Sequence, residues 1–88
     1  MKKALAGTAW CASSPIRYYL LTEQDSGNCG VLVEYRDEAA AVPGVASRQR
    51  TMDLLRLLRQ GRVTPVTAMD VIEDWLADSA CNFSGDSV

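Results

Sequence analysis

The chain has 88 residues, 48% of them hydrophobic and 23% charged, and a formal net charge of −2, which fits one small folded domain and excludes a wholly disordered chain or one built throughout to coat nucleic acid. It contains no histidine, and its three cysteines, Cys11, Cys29 and Cys81, are not closely spaced; the commonest general base, a zinc site and a disulfide framework are all unsupported. Cysteines of that number and spacing fit a reducing cytoplasm, and a cytoplasmic protein without metal or cofactor is expected; no apolar run approaches the ~20 residues of a membrane-spanning helix.

At the N-terminus, Lys2 and Lys3 precede a short apolar run and imitate a secretory signal. The run is only about nine residues long, contains Gly7 and Thr8, and places Trp10 before Cys11 where a lipoprotein signal needs a small residue. Residues 1–15 are therefore read as a flexible segment ahead of the domain, residues 16–78 as the domain, and residues 79–88 as a flexible tail.

Residues 16–22, rich in aromatic and β-branched side chains, read as a strand. Asp25, Ser26, Gly27 and Asn28 supply turn chemistry, and residues 29–36 form a second strand in which Val31, Val33 and Tyr35 alternate with Leu32, Glu34 and Arg36. Burying Ile16, Tyr18 and Leu20 on the same side leaves Arg17, Tyr19, Glu34 and Arg36 opposite. Any register that places odd-numbered against even-numbered residues satisfies this pattern. Residues 38–42 are read as a short third strand despite Ala39, Ala40 and Ala41, and Pro43-Gly44 is expected to end it.

Ser47 is positioned to cap a helix over residues 48–60, with Gly61 in the left-handed position after it. Thr51, Leu54, Leu55 and Leu58 make its buried stripe, and Leu57 and Met52 fall half-exposed on opposite flanks. A second helix is expected over residues 67–77, capped by Thr67 with Asp70 three residues on, and stapled by Val66 and Val71. Ala68, Val71, Ile72, Trp75 and Leu76 share its apolar face. The class is thus α+β: an antiparallel meander of two or three strands followed by two helices packed on one face.

The stretches RYYLLTEQ, CGVLVEY and VASRQRTMDLLRLLRQGRVTPVTAMDVIEDWLA resemble a family of small bacterial proteins, a domain of unknown function. The resemblance is sharpest from Arg62 to Leu76, where Val-Thr-Pro precedes an apolar helix carrying Val-Ile-Glu-Asp-Trp-Leu. It implies a cytoplasmic protein with strands followed by helices, and it implies no activity.

Charge is segregated. Five arginines (Arg48, Arg50, Arg56, Arg59 and Arg62) stand against Asp53 alone between residues 48 and 62, a local balance of +4 that leaves −6 elsewhere. Arg48, Arg56 and Arg59 project within an arc of about 80° with Met52 between them, a combination suited to phosphates or an acidic partner surface. The plainer reading is a solvated helix face neutralised by Asp70, Asp74 or Asp78.

A DNA-binding helix-turn-helix fits poorly, because the second helix carries Asp70, Glu73, Asp74 and Asp78 without a Lys or Arg. Those acids lack the spacing of a calcium loop and read as a solubilising face. Cys29 has no base to activate it. The residues therefore point to a non-enzymatic protein-binding or regulatory module, joined to a protein partner or a second copy, with Arg48, Met52, Arg56, Leu57 and Arg59 as the contact surface. Weak RNA binding through the arginines is the alternative.

Overall fold

The computed structural model describes residues 2–23 and 27–86, with side chains as far as residue 77. Four strands, β1 (Lys2–Cys11), β2 (Ser14–Thr22), β3 (Asn28–Tyr35) and β4 (Glu38–Ser47), are followed by α1 (Arg48–Gln60) and α2 (Pro65–Asp86). The strands form one antiparallel meander in the order β1-β2-β3-β4. The α+β class and the order of strands before helices are as the sequence predicts, but the sheet has four strands rather than two or three.

The additional strand is β1, from the segment read as lying outside the domain. Its link to β2 is the two-residue turn Ala12-Ser13, with φ of 49° and 69°. Tight hairpins need positive φ at both central residues, and that requirement selects Asn and Gly. Here Ala and Ser meet it, so the sequence carries no turn signal. The turn expected around Asp25 falls partly on residues 24–26, outside the described residues; Gly27 beside it has φ 72°.

The β2–β3 register puts Ile16 opposite Tyr35, Tyr18 opposite Val33 and Leu20 opposite Val31, an odd-to-even pairing that keeps all six on the helix side. Arg36 is not in the strand as expected: it occupies the β3–β4 turn with φ 53°.

Strand β4 also runs further than expected, passing through Pro43-Gly44 instead of stopping there. Cys29 pairs with Ala46 and Val31 with Val42, so Pro43, Gly44 and Val45 together face Gly30. The extra residues arch out as a bulge. Proline is tolerated at such a place because an edge-strand bulge does not require its missing N–H.

Helix α1 has the predicted bounds, and Thr51, Leu54, Leu55 and Leu58 are its buried residues. Ser47 takes the cap position without a side-chain capping bond. The nearby tie is Thr51, whose buried hydroxyl donates to the Ser47 carbonyl at 2.8 Å and lies 3.1 Å and 3.4 Å from the carbonyls of Ala46 and Cys29.

At the other end, Gly61 is right-handed, at φ −84°. The left-handed residue is Arg62 at φ 51°. Arg62 N–H donates to the Arg59 carbonyl at 3.1 Å and Val63 N–H to the Leu58 carbonyl at 3.0 Å, which is the Schellman pattern displaced one residue beyond the glycine.

Helix α2 begins earlier than expected. Thr64 accepts from the N–H groups of Thr67 and Ala68 at 3.2 Å and 3.0 Å, so Pro65 takes the first helical position, where its missing N–H costs nothing. Thr67 lies inside the first turn and bonds back to the Thr64 carbonyl. Val66 is exposed, so the expected staple with Val71 does not form; Val63 packs on the core instead. The backbone helix continues to Asp86 rather than ending near residue 77, and no Gly or Pro interrupts the sequence before Gly85.

Both helices pack on one face of the sheet. The core joins Ile16, Tyr18, Val31 and Val33 to Leu54, Leu58 and Ile72, each worth roughly 1.5–3 kcal/mol by burial. No helix is long and apolar enough to cross a membrane among the described residues.

Candidate functional site

The two flanks of α1 meet different surroundings. On one flank Arg50 lies over the Trp75 ring of α2, 5.1 Å from its centroid, and Leu57 is half-exposed. The other flank carries Met52, Arg56 and Arg59 toward β1. There they enclose a groove of about 170 Å³, completed by Leu55 of α1 and by Ala6, Gly7 and Tyr18 of the sheet.

The groove exists because β1 is irregular. Leu5 pairs with Tyr19 and Gly7 with Tyr18, leaving Ala6 as an extra residue. Arg59 crosses the strand just past this bulge: a Cβ on Gly7 would fall 2.7 Å from Arg59 Cδ. Met52, Arg56 and Arg59, three of the five residues expected to form a contact surface, are thus brought together, whereas Arg48 and Leu57 do not line the groove. Leu55, Tyr18, Ala6 and Gly7 are the additional lining residues, and only recognition of β1 as a strand reveals the last two.

Among the described residues no acid lines the groove. The plainer sequence reading has these arginines neutralised by α2. No ion pair joins Arg48, Arg56 or Arg59 to Asp70 or Asp74 among the described residues; the side chain of Asp78 lies outside them.

Tyr18 forms the floor of the groove. Its hydroxyl donates to the Val63 carbonyl at 2.8 Å, and burial, with a smaller contribution from Cys11, pushes its pKa up to about 12. Tyr35 donates to the Cys11 carbonyl at 3.1 Å, and burial likewise raises its pKa. Both phenols are therefore neutral donors tying strands to neighbouring backbone, not bases. Cys29 is buried and Cys11 half-buried, and both are free.

The helix-free face of the sheet carries Leu5, Tyr19, Leu32 and Ala41 in one row across all four strands. Lys3 roofs part of it, with its ammonium 4.7 Å from the Tyr19 ring centroid and 3.7 Å from Glu34 Oε2. The apolar groups left open are at the β1 side: Leu5 is 58% exposed and Trp10 62%.

A second hollow of about 510 Å³ lies at the turn end of the sheet. Arg17, Arg36, Glu34, Asp37 and Glu38 line it, and Arg36 already donates to Ser14 Oγ at 3.3 Å. Its lining mixes two arginines with three acids, so the α1–β1 groove, with charge of one sign, is the more distinctive surface. Among the described residues no group of three acids or cysteines could hold a metal.

Residues 11–78 match the model of a Family of unknown function (DUF6514), and the chain belongs to that family. No curated protein and no solved structure matches it. The matched span begins at Cys11, so nearly all of β1 precedes it.

Proposed function

We propose that this member of DUF6514 is a non-enzymatic protein-binding module that holds a partner protein beside strand β1. The supporting observation is the coincidence, on one edge of the sheet, of the exposed side chains Leu5 and Trp10 with a groove whose two arginines have no carboxylate partner among the described residues. Apolar side chains exposed beside unpaired cations are the composition of a recognition surface, in which aromatic and arginine residues commonly carry the affinity.

The test is affinity capture from lysate of its own cell, comparing the wild type with Leu5→Ser/Trp10→Ser and with Arg56→Ala/Arg59→Ala. Specific proteins retained by the wild type and lost from both variants support the reading. Equal retention by all three proteins counts against it.

Weak RNA binding is the second reading, favoured by the same two groove arginines. Two or three phosphate contacts give modest affinity that falls steeply with salt, and the exposed acids Asp70, Glu73 and Asp74 limit how much of the molecule can approach a polyanion. Binding seen at low salt and abolished by Arg56→Ala/Arg59→Ala would favour this alternative.

A further inference from the structure

We infer that the free edge of β1 accepts an extended segment of the partner as a fifth strand, and that this segment alternates acidic and apolar side chains. The inference rests on the protein-binding reading and specifies its chemistry. Among the described residues β1 pairs only with β2, so the N–H and C=O groups on its other side point away from the sheet and can pair with an incoming strand. The opposite edge is less suitable, because β4 arches out at Pro43-Gly44 where three of its residues face Gly30 alone.

Side chains of an added strand would point alternately to the helix side and the helix-free side. On the helix side they meet the groove beside Gly7, with Arg56 and Arg59 and no acid, where carboxylates gain charge-assisted hydrogen bonds. On the other side they meet the exposed Leu5 and Trp10 and extend the row Leu5–Tyr19–Leu32, where apolar groups gain burial. One strand satisfies both surfaces only by alternating the two types.

A second copy fits less well. Antiparallel β1–β1 pairing about a twofold axis perpendicular to the sheet places both helix layers on the same side. The two arginine-bearing flanks would then face each other, an unfavourable arrangement of like charges.

The experiment measures fluorescence anisotropy of the full chain with a labelled peptide alternating Glu and Val, a Lys/Val counterpart, and a block peptide of the same composition with its Glu and Val residues segregated. Two further Glu/Val peptides carry backbone N-methyl groups at the odd or the even positions. The expected result is saturable binding of the alternating Glu/Val peptide, weakened at least about tenfold by Arg56→Glu/Arg59→Glu, and lost for one N-methylated form but retained by the other. Circular dichroism of the variant confirms that it remains folded.

Equal binding of both N-methylated forms, or of the block peptide, overturns strand addition while leaving partner capture standing. Absence of binding by the alternating Glu/Val peptide overturns the inference outright, as does light scattering that shows a dimer broken by Glu substitution at Leu5.

Discussion

The stem of Arg59 lies across Gly7, so that a Cβ on the glycine would fall 2.7 Å from Arg59 Cδ and 3.4 Å from Nε. Gly7 is not held at positive φ, so the backbone accepts alanine and the arginine must move. Gly7→Ala is expected to change unfolding free energy by less than about 1 kcal/mol. It should weaken acidic-peptide binding about three- to tenfold, because the guanidinium loses its position over the groove. Urea unfolding and anisotropy on the same preparation check both halves. Unchanged affinity would mean that the placement of Arg59 is irrelevant to binding.

Gly30 offers the contrasting case, because its neighbour is backbone. An added Cβ would overlap the Val42 carbonyl oxygen and fall 2.6 Å from Pro43 Cα, where the β4 bulge passes over. Gly30→Ala should cost about 2–3 kcal/mol, within the range of overpacking a tight site. Gly44, at φ 65° with open space around it, should lose only about 1 kcal/mol on change to alanine. The urea midpoints should rank wild type, Gly44→Ala, Gly30→Ala from most to least stable. A Gly30→Ala midpoint equal to that of the wild type would contradict the bulge geometry.

The turn Ala12-Ser13 holds two non-glycine residues at positive φ, 49° and 69°. Ala12→Asn with Ser13→Gly supplies residues that adopt those angles more readily, and should stabilise the chain by about 1 kcal/mol. A higher thermal midpoint is the expected observation. Because the replacements touch only the hairpin, a lower midpoint would show that β1 is not joined to β2 by this turn.

That same turn accounts for the main gap between sequence and structure. The β2–β3 pairing, the Leu54, Leu55 and Leu58 stripe and the strand-then-helix order were legible because alternation and helical spacing report burial directly. β1 was not: Lys2 and Lys3 followed by alanines imitate a leader, and Ala-Ser advertises no hairpin. The groove is not legible without it, since Ala6 and Gly7 of β1 close the side opposite α1, although spacing alone places Met52, Arg56 and Arg59 on one flank. The left-handed residue after α1 lies one position beyond the expected glycine, at Arg62, and α2 starts two residues early, at Pro65, and runs nine residues past the expected end. At Arg62 and Pro65 the backbone bonds of the Schellman turn and the proline's missing N–H outweighed the side-chain signals at Gly61 and Thr67.

Tyr18 gives a pH dependence of definite sign. Burial pushes its pKa from 10.0 up to about 12, and its protonated hydroxyl donates to the Val63 carbonyl at 2.8 Å. Between those two values the unfolded chain has lost the phenolic proton and the folded chain keeps it, so rising pH favours unfolding. The stabilising contribution is complete below about pH 10 and gone above about pH 12.

Discounted for screening around this part-buried hydrogen bond, the shift is worth roughly 1–2 kcal/mol. Tyr18→Phe should remove that part of the alkaline loss. It should also cost about 1 kcal/mol at neutral pH, because the Val63 carbonyl loses its donor. Urea unfolding of both proteins from neutral pH to pH 12 reads the difference directly, since Tyr35, whose pKa burial also raises, contributes equally to each. Parallel stability curves above pH 10 would show that the Tyr18 hydroxyl is not the buried donor described.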